Sequence, residues 1–386
     1  MDASFLDIPL DRLRDKRGMK WSRYGDDVIG AWVADMDFPV APAIQEAIDD
    51  IQAGNEFGYP ADDAGATVRE AFADWMKREH RWRIDPDDTL LLGDVLQAMH
   101  AAILRFSEPG DGLVVQTPIY PPFLGAVKAN NRRLDENPLL RDTNGYGIDF
   151  DRLRAVIDKR TKMLLLCNPH NPTGRAFSRK ELKKLAEIAL EHDLIVVSDE
   201  IHMDLVYPDL KHIPFASLGP EIAARTITLS SASKSFNIAG LRCAVAHFGA
   251  PELRRAFSKI NLRLFGTPSI VGMVATQAAW RDGKQWLSLV REQLDENRQR
   301  VEIFLSANLP EIGFHMPEAT YLAWLDCTAL ELDERPQEFF LKQAKVGLNP
   351  GSDFSPASDK FVRLNFATPP AVLNEILNRM SYAVKR

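Results

Sequence analysis

Thr226-Ile227-Thr228-Leu229-Ser230-Ser231-Ala232-Ser233-Lys234-Ser235-Phe236-Asn237-Ile238-Ala239-Gly240-Leu241-Arg242 is the stretch whose reading decides the fold. Thr226 to Leu229 reads as a short buried strand. A cluster of small hydroxylated residues follows, with one lysine inside it. Gly240 is expected to let the chain turn into a second apolar run, Cys243 to Phe248. Lysine normally sits on solvated faces. At the end of a core strand it is either a loop residue covering that end or a chemically used amine. Ser231, three residues before Lys234, and Arg242, eight after it, are placed to hold a phosphate in the second case.

Composition narrows the choice. A chain of 386 residues has room for a large core and two domains. A hydrophobic fraction of 45% and a charged fraction of 26% are ordinary for a soluble globular enzyme. The net charge of −7 and a pI near 5.7 argue against nucleic acid or an anionic membrane as partner. The basic tract Arg12-Leu13-Arg14-Asp15-Lys16-Arg17 is short and interrupted by an acid, so it reads as a solvated face. Cys167, Cys243 and Cys327 are few, odd in number and far apart, which fits a reducing cytoplasm better than a disulfide framework or a zinc site. The first residues lack the basic and apolar regions of a signal peptide. No apolar run approaches the ~20 residues needed to span a bilayer.

Working outward, strand-like runs alternate with helical patterns from Leu90 to Phe248, which predicts a mainly parallel α/β sheet. Thr89 to Leu92 is an apolar strand ending at Gly93, with a helix expected over Ala98 to Phe106. The backbone N–H groups near Val95, Leu96 and Gln97 can face an anion there. Leu113 to Gln116 leads into the rigid loop Thr117-Pro118-Ile119-Tyr120-Pro121-Pro122. Lys162 to Cys167 runs into Asn168-Pro169-His170-Asn171-Pro172-Thr173-Gly174, where each proline forces non-helical backbone on the asparagine before it. Leu194 to Ser198 ends in Asp199-Glu200-Ile201-His202. In such sheets ligands bind beyond the carboxyl ends of the strands. Tyr120, Asn171, Asp199 and Lys234 all fall there. Asp199, Glu200, His202 and Asp204 could also be read as metal ligands, but neighbouring Asp199 and Glu200 would point to opposite faces.

Outside this core, Ala34 and Asp35 in Ala31-Trp32-Val33-Ala34-Asp35-Met36-Asp37-Phe38 read as a piece of substrate pocket or as turn residues. Gln285 to Leu305 reads as one long amphipathic helix linking to a second domain. Arg363, in Phe361-Val362-Arg363-Leu364-Asn365, points either to solvent or into a site.

A strand-end carboxylate, a strand-end lysine, an asparagine, an aromatic and a phosphate cradle are together what pyridoxal 5′-phosphate requires. The lysine binds its aldehyde, the carboxylate keeps the pyridine nitrogen protonated, and the asparagine reaches the ring oxygen. On the motifs quoted, with Thr320-Tyr321-Leu322-Ala323-Trp324, the chain resembles the fold-type I, class I/II aminotransferase group of pyridoxal-phosphate enzymes. Within that group it is most similar to the bacterial MalY/PatB type of cystathionine β-lyase. The resemblance implies a large domain with a mainly parallel seven-stranded sheet and a smaller α+β domain. Residues 1–45 would join the small domain, 46–285 form the cofactor domain, and 286–386 complete the small one.

The same resemblance implies roles. Lys234 matches the Schiff-base lysine, Asp199 the pyridine-nitrogen partner, Asn171 the ring-oxygen ligand and Tyr120 the stacking aromatic. Ser231, Ser233, Arg242 and the N–H groups of Val95 to Gln97 match the phosphate site. His202 stands where many relatives have a tyrosine. Arg363 matches the arginine that grips the substrate α-carboxylate. Tyr59 matches a tyrosine that reaches the neighbouring subunit's phosphate, which implies a homodimer with shared sites. The implied reaction is α,β-elimination of L-cystathionine or a related S-substituted cysteine. An aminotransferase, and a regulator acting through protein contacts, are the alternatives.

Overall fold

The structure is a computed structural model that describes residues 3–61, 63–143, 145–208 and 210–386. Seven strands build its main sheet: β1 (Thr89–Leu92), β2 (Gly112–Thr117), β3 (Arg133–Pro138), β4 (Thr161–Cys167), β5 (Ile195–Asp199), β6 (Thr226–Ser230) and β7 (Ala244–Phe248). Their order is β1-β7-β6-β5-β4-β2-β3. All run parallel except β7, which is antiparallel to both β1 and β6. Aliphatic runs such as Met163-Leu164-Leu165-Leu166 are buried throughout, as expected for strands covered on both faces. Met163 and Leu165 belong to one core layer with α3 (Val95–Phe106). Leu164 and Leu166 belong to the opposite layer with α4 (Arg179–Glu191).

Register brings the important ends level. Cys167 pairs with Asp199, and Asp199 pairs with Leu229, so β4, β5 and β6 stop at one edge. Val245 pairs with Ser230 and Ala244 with Leu92, so Cys243, Ser231 and Gly93 meet at that same edge. The turn after β6 departs from expectation. Gly240 lies inside a 3-10 turn, Ala239–Leu241, and the left-handed residues are Asn237 (φ 58°) and Arg242 (φ 53°). Helix α3 begins at Val95, three residues earlier than the apolar pattern suggested, because the Asp94 carboxylate caps it by accepting from Gln97 N at 2.8 Å.

A second, antiparallel sheet comprises β8 (Gly313–Phe314), β9 (Leu322–Asp326), β10 (Asn349–Pro350) and β11 (Phe361–Asn365), in the order β8-β9-β11-β10. The N-terminal segment is bound to it. Ala31 O accepts from Asn365 N, and Asp37 N donates to Ala367 O, both at 2.9 Å. Helix α5 (Ile270–Asp282) packs on the helices Pro42–Gly54 and Ala64–Glu79. Gly283 separates it from the long helix α6 (Lys284–Asn308). A Cβ at Gly283 would lie 2.5 Å from Phe236 Cε1, so close approach explains the glycine there. One apolar cluster runs through Leu13, Trp75, Phe236, Val290 and Leu364 and ties the two sheets together.

Candidate active site

A cleft opens at the carboxyl edge of β4, β5 and β6. Ala34, Val95, Leu96, Tyr120, Asn171, Asp199, His202, Ser231, Ser233, Lys234 and Arg242 line it, with Gly93, Asp94, Cys167, Ile201, Ala239 and Cys243. Eleven of these residues were expected from the sequence, and they converge from six separate stretches of chain.

Lys234 sits in the short helix Ala232–Ser235 that follows β6. Ser231 caps this helix by accepting from Ser233 N at 3.1 Å, and its hydroxyl donates to Cys243 O at 2.6 Å. The Lys234 ammonium donates to Ala34 O at 2.8 Å. Burial pushes its pKa down, and the Arg363 charge adds to that, whereas Asp35 and Asp199 oppose it. Asp199, at the end of β5, accepts from Ile201 N at 3.1 Å. Desolvation pushes its carboxyl up to about 7. Glu200 points the other way: it accepts from Ser198 Oγ at 2.8 Å and contacts His212 Nε2 at 2.7 Å. No group of three metal ligands forms among the described residues.

His202 is buried, and burial pushes it down to about 3, so the ring is neutral. Its Nδ1 has no hydrogen-bond partner among the described residues. Tyr120 N donates to Asn171 O at 3.0 Å, which locks the aromatic loop onto the Asn-Pro loop. Burial also raises the Tyr120 hydroxyl pKa, so the phenol stays neutral.

Arg363 does not line the cleft but touches it from the second sheet. Its guanidinium donates to Asn171 Oδ1 at 2.9 Å, Trp32 O at 3.0 Å and Asn349 Oδ1 at 2.6 Å, and stacks over Phe354. It is buried, which pulls its pKa down to about 10, and it remains charged. Arg242 is ion-paired to Asp94 at the mouth of the cleft.

Three expected residues lie elsewhere. Gln97 is turned away: its N–H is taken by the Asp94 cap and its side-chain oxygen accepts from Gly93 N at 3.0 Å. Only the N–H groups of Val95 and Leu96 are left to face the cleft. Asp35 stands behind the lining, where its charge acts on Lys234. Tyr59 is fully exposed, in an exposed run with Phe57. Sequence reasoning missed Tyr321 as a site residue, whose hydroxyl donates to Ala34 O at 2.8 Å, and Asn349. It also missed Asn365, two residues after Arg363 and therefore on the same strand face, a spacing that could have flagged it.

Known proteins resemble this chain in sequence and in fold. Cystathionine beta-lyase PatB of Bacillus subtilis is 38% identical over 377 residues, covering 95% of this chain and 97% of that protein. The PLP-bound C-S lyase of Staphylococcus hominis superposes with a TM-score of 0.91 at 32% identity and covers 98% of each chain. A PLP-bound putative aminotransferase of Clostridium difficile superposes with a TM-score of 0.94 at 32% identity, covering 98% of this chain and 99% of that one. The family pattern described as aminotransferase class I and II matches residues 27–380, a span that contains every residue lining the cleft. With an amine at the end of β6, a carboxylate at the end of β5 and this match across both sheets, the chain belongs to the class I and II aminotransferase family.

Proposed function

We propose that this protein is a pyridoxal-phosphate-dependent carbon–sulfur β-lyase acting on L-cystathionine or a related S-substituted cysteine. The observation that carries the reading is one cleft holding the half-buried Lys234 and the buried Asp199 carboxylate. Relatives that cover nearly all of the chain bear cystathionine beta-lyase and C-S lyase names, which favours elimination over transamination.

The residues present fit the cofactor. The orphaned His202 Nδ1 and the helix-start N–H groups of Val95 and Leu96 are polar groups in want of a partner. Lys234 would hold the aldehyde carbon, Asp199 the pyridine nitrogen, and Asn171 the ring oxygen through its amide N–H. Tyr120 would stack on the ring. Ser231, Ser233, Arg242 and the two N–H groups would take the phosphate. When bound, pyridoxal phosphate supplies an electron sink that makes the α-proton of an amino acid removable.

The chain's own residues do the rest. Arg363 grips the α-carboxylate while keeping its bond to Asn171, so the substrate's Cα is oriented. Lys234, with its pKa depressed by burial, takes the Cα proton as general base. Tyr120 and His202, both neutral, add no charge to the cleft wall. Elimination breaks the Cβ–S bond, the proton taken from Cα by Lys234 passes to the leaving thiolate, and one water consumed in hydrolysing the released enamine turns it into pyruvate and ammonia.

Three further points belong to this reading. The exposed Phe57 and Tyr59 support a homodimer in which Tyr59 reaches the partner's phosphate site. The segments 1–45 and 286–386 act together as a small domain against 46–285. A cytoplasmic location suits three buried free thiols, Cys167, Cys243 and Cys327; no helix of the described residues is long and apolar enough to cross a membrane.

The test is pyruvate release from cystathionine with no keto acid added. Continuous release is expected. A single turnover that stops until a keto acid is supplied sinks the lyase reading in favour of transamination.

A further inference from the structure

Between the two sheets runs the segment 32–38, which has no helix or strand. Most of it is buried, so its carbonyls need donors. Each of its seven carbonyls accepts a hydrogen bond from a side chain. Arg363 serves Trp32 O, Lys234 and Tyr321 share Ala34 O, and Lys16 serves Asp37 O. Two asparagines do most of the remaining work. Asn365 Nδ2 donates to Val33 O at 2.7 Å and Asp35 O at 2.6 Å. Asn237 Nδ2 donates to Met36 O at 3.0 Å and Phe38 O at 2.8 Å, and its Oδ1 accepts from Met36 N at 3.0 Å.

The placement of these asparagines is the informative part. Asn237 is three residues after Lys234, in the turn directly after the helix that carries the amine. Asn365 is two residues after Arg363, on the strand that carries the guanidinium. Each functional side chain therefore has an asparagine close beside it in the chain, on the same strand or in the turn just after its helix, gripping one shared strap.

We infer that Asn237 and Asn365 are positioning residues that set the spacing between the Lys234 amine and the Arg363 guanidinium through the segment 32–38. The inference rests on the roles given to Lys234 and Arg363 above. It adds that the strap, gripped from both sides, decides how well an amino acid's Cα and carboxylate fit at once. Loosening either grip lets the carboxylate site drift relative to the amine, while the cofactor's own contacts stay on the main sheet. The penalty therefore falls on substrate binding before it falls on the chemical step.

Two variants test this in the cofactor-loaded enzyme. Asn237→Gly keeps a residue tolerant of the left-handed φ of 58° and removes the grip. Asn365→Asp keeps the oxygen that accepts from Ala367 N at 2.7 Å and loses both donors. Three quantities are read: hydrogen exchange of residues 32–38, KM and kcat for cystathionine, and the affinity for L-alanine from the change in visible absorbance. Exchange should quicken by about tenfold or more, and KM and the L-alanine Kd should each rise about tenfold. The variants should hold kcat within about threefold and keep the wild-type absorbance. Unchanged exchange overturns the inference, as does faster exchange with unchanged KM and L-alanine affinity. Loss of cofactor absorbance in both variants overturns it too, because the asparagines would then be merely structural. Should the wild type release no pyruvate, the lyase reading falls, yet exchange and L-alanine binding still decide the fate of the strap.

Discussion

Lys234 is the side chain on which the chemistry is most exposed to failure. Lys234→Ala should abolish the yellow colour of the loaded protein and cut pyruvate release by at least about a thousandfold, the scale of removing a general base that is also a covalent anchor. Spectra and steady-state rates check both. The same residue shows why some roles can be read from a sequence and others cannot. A lysine inside a hydroxylated cluster after an apolar strand is out of place, and so are asparagines held by prolines; such misplacement is visible in one dimension. Gln97 is different. Whether its N–H is free depends on where the Asp94 carboxylate turns, and that rotamer is decided in three dimensions by the helix cap and by Arg242. Arg363 lay in between: its strand was legible, its direction was not, because either face of an apolar strand is a possible home.

At the scale of elements, helix α3 carries a conflict. Its cap, Asp94, is an anion in the proposed phosphate site, and it is ion-paired to Arg242, the cation that the proposal assigns to that phosphate. Asp94→Ser should keep the cap, since serine serves that position about as well. It should remove the repulsion and free Arg242, so the cofactor should dissociate several-fold more slowly, as followed by loss of absorbance during dialysis. Faster loss would show that the Asp94–Arg242 pair is part of the phosphate site. The long elements here were legible because aliphatic runs and helical periods extend over enough residues to be recognised. Ile29–Gly30, Gly313–Phe314 and Asn349–Pro350 are two residues each and carry no period at all. Pairing partners far away in the chain create them.

For the molecule as a whole, pH should act through groups buried on several elements. Burial pushes His170 and His247 down to about 4 and His202 to about 3. In the unfolded chain these rings take up protons near pH 6.5, whereas the folded state refuses them, so stability is lost as pH falls below about 6.5. Asp199, raised to about 7 in the cofactor-free protein, works the other way, favouring the folded state as pH falls from about 7 to 4. Three groups oppose one, and a tenfold difference in proton affinity between folded and unfolded states is worth about 1.4 kcal/mol. The apoprotein should therefore lose on the order of a few kcal/mol between about pH 6.5 and pH 5. Denaturant midpoints at the two pH values measure this, and an unchanged midpoint would contradict it. The overall architecture was legible because strand and helix alternate over a long, continuous part of the chain; the strap was not, because its order comes from side chains contributed by distant segments. The junction at Gly283 shows how far such dependence extends. A single methyl group there would press on Phe236, two residues from Lys234, so the junction of two helices is kept small by a segment far from it in the chain. A substitution that would favour helix formation in isolation is opposed here by contact with that distant segment.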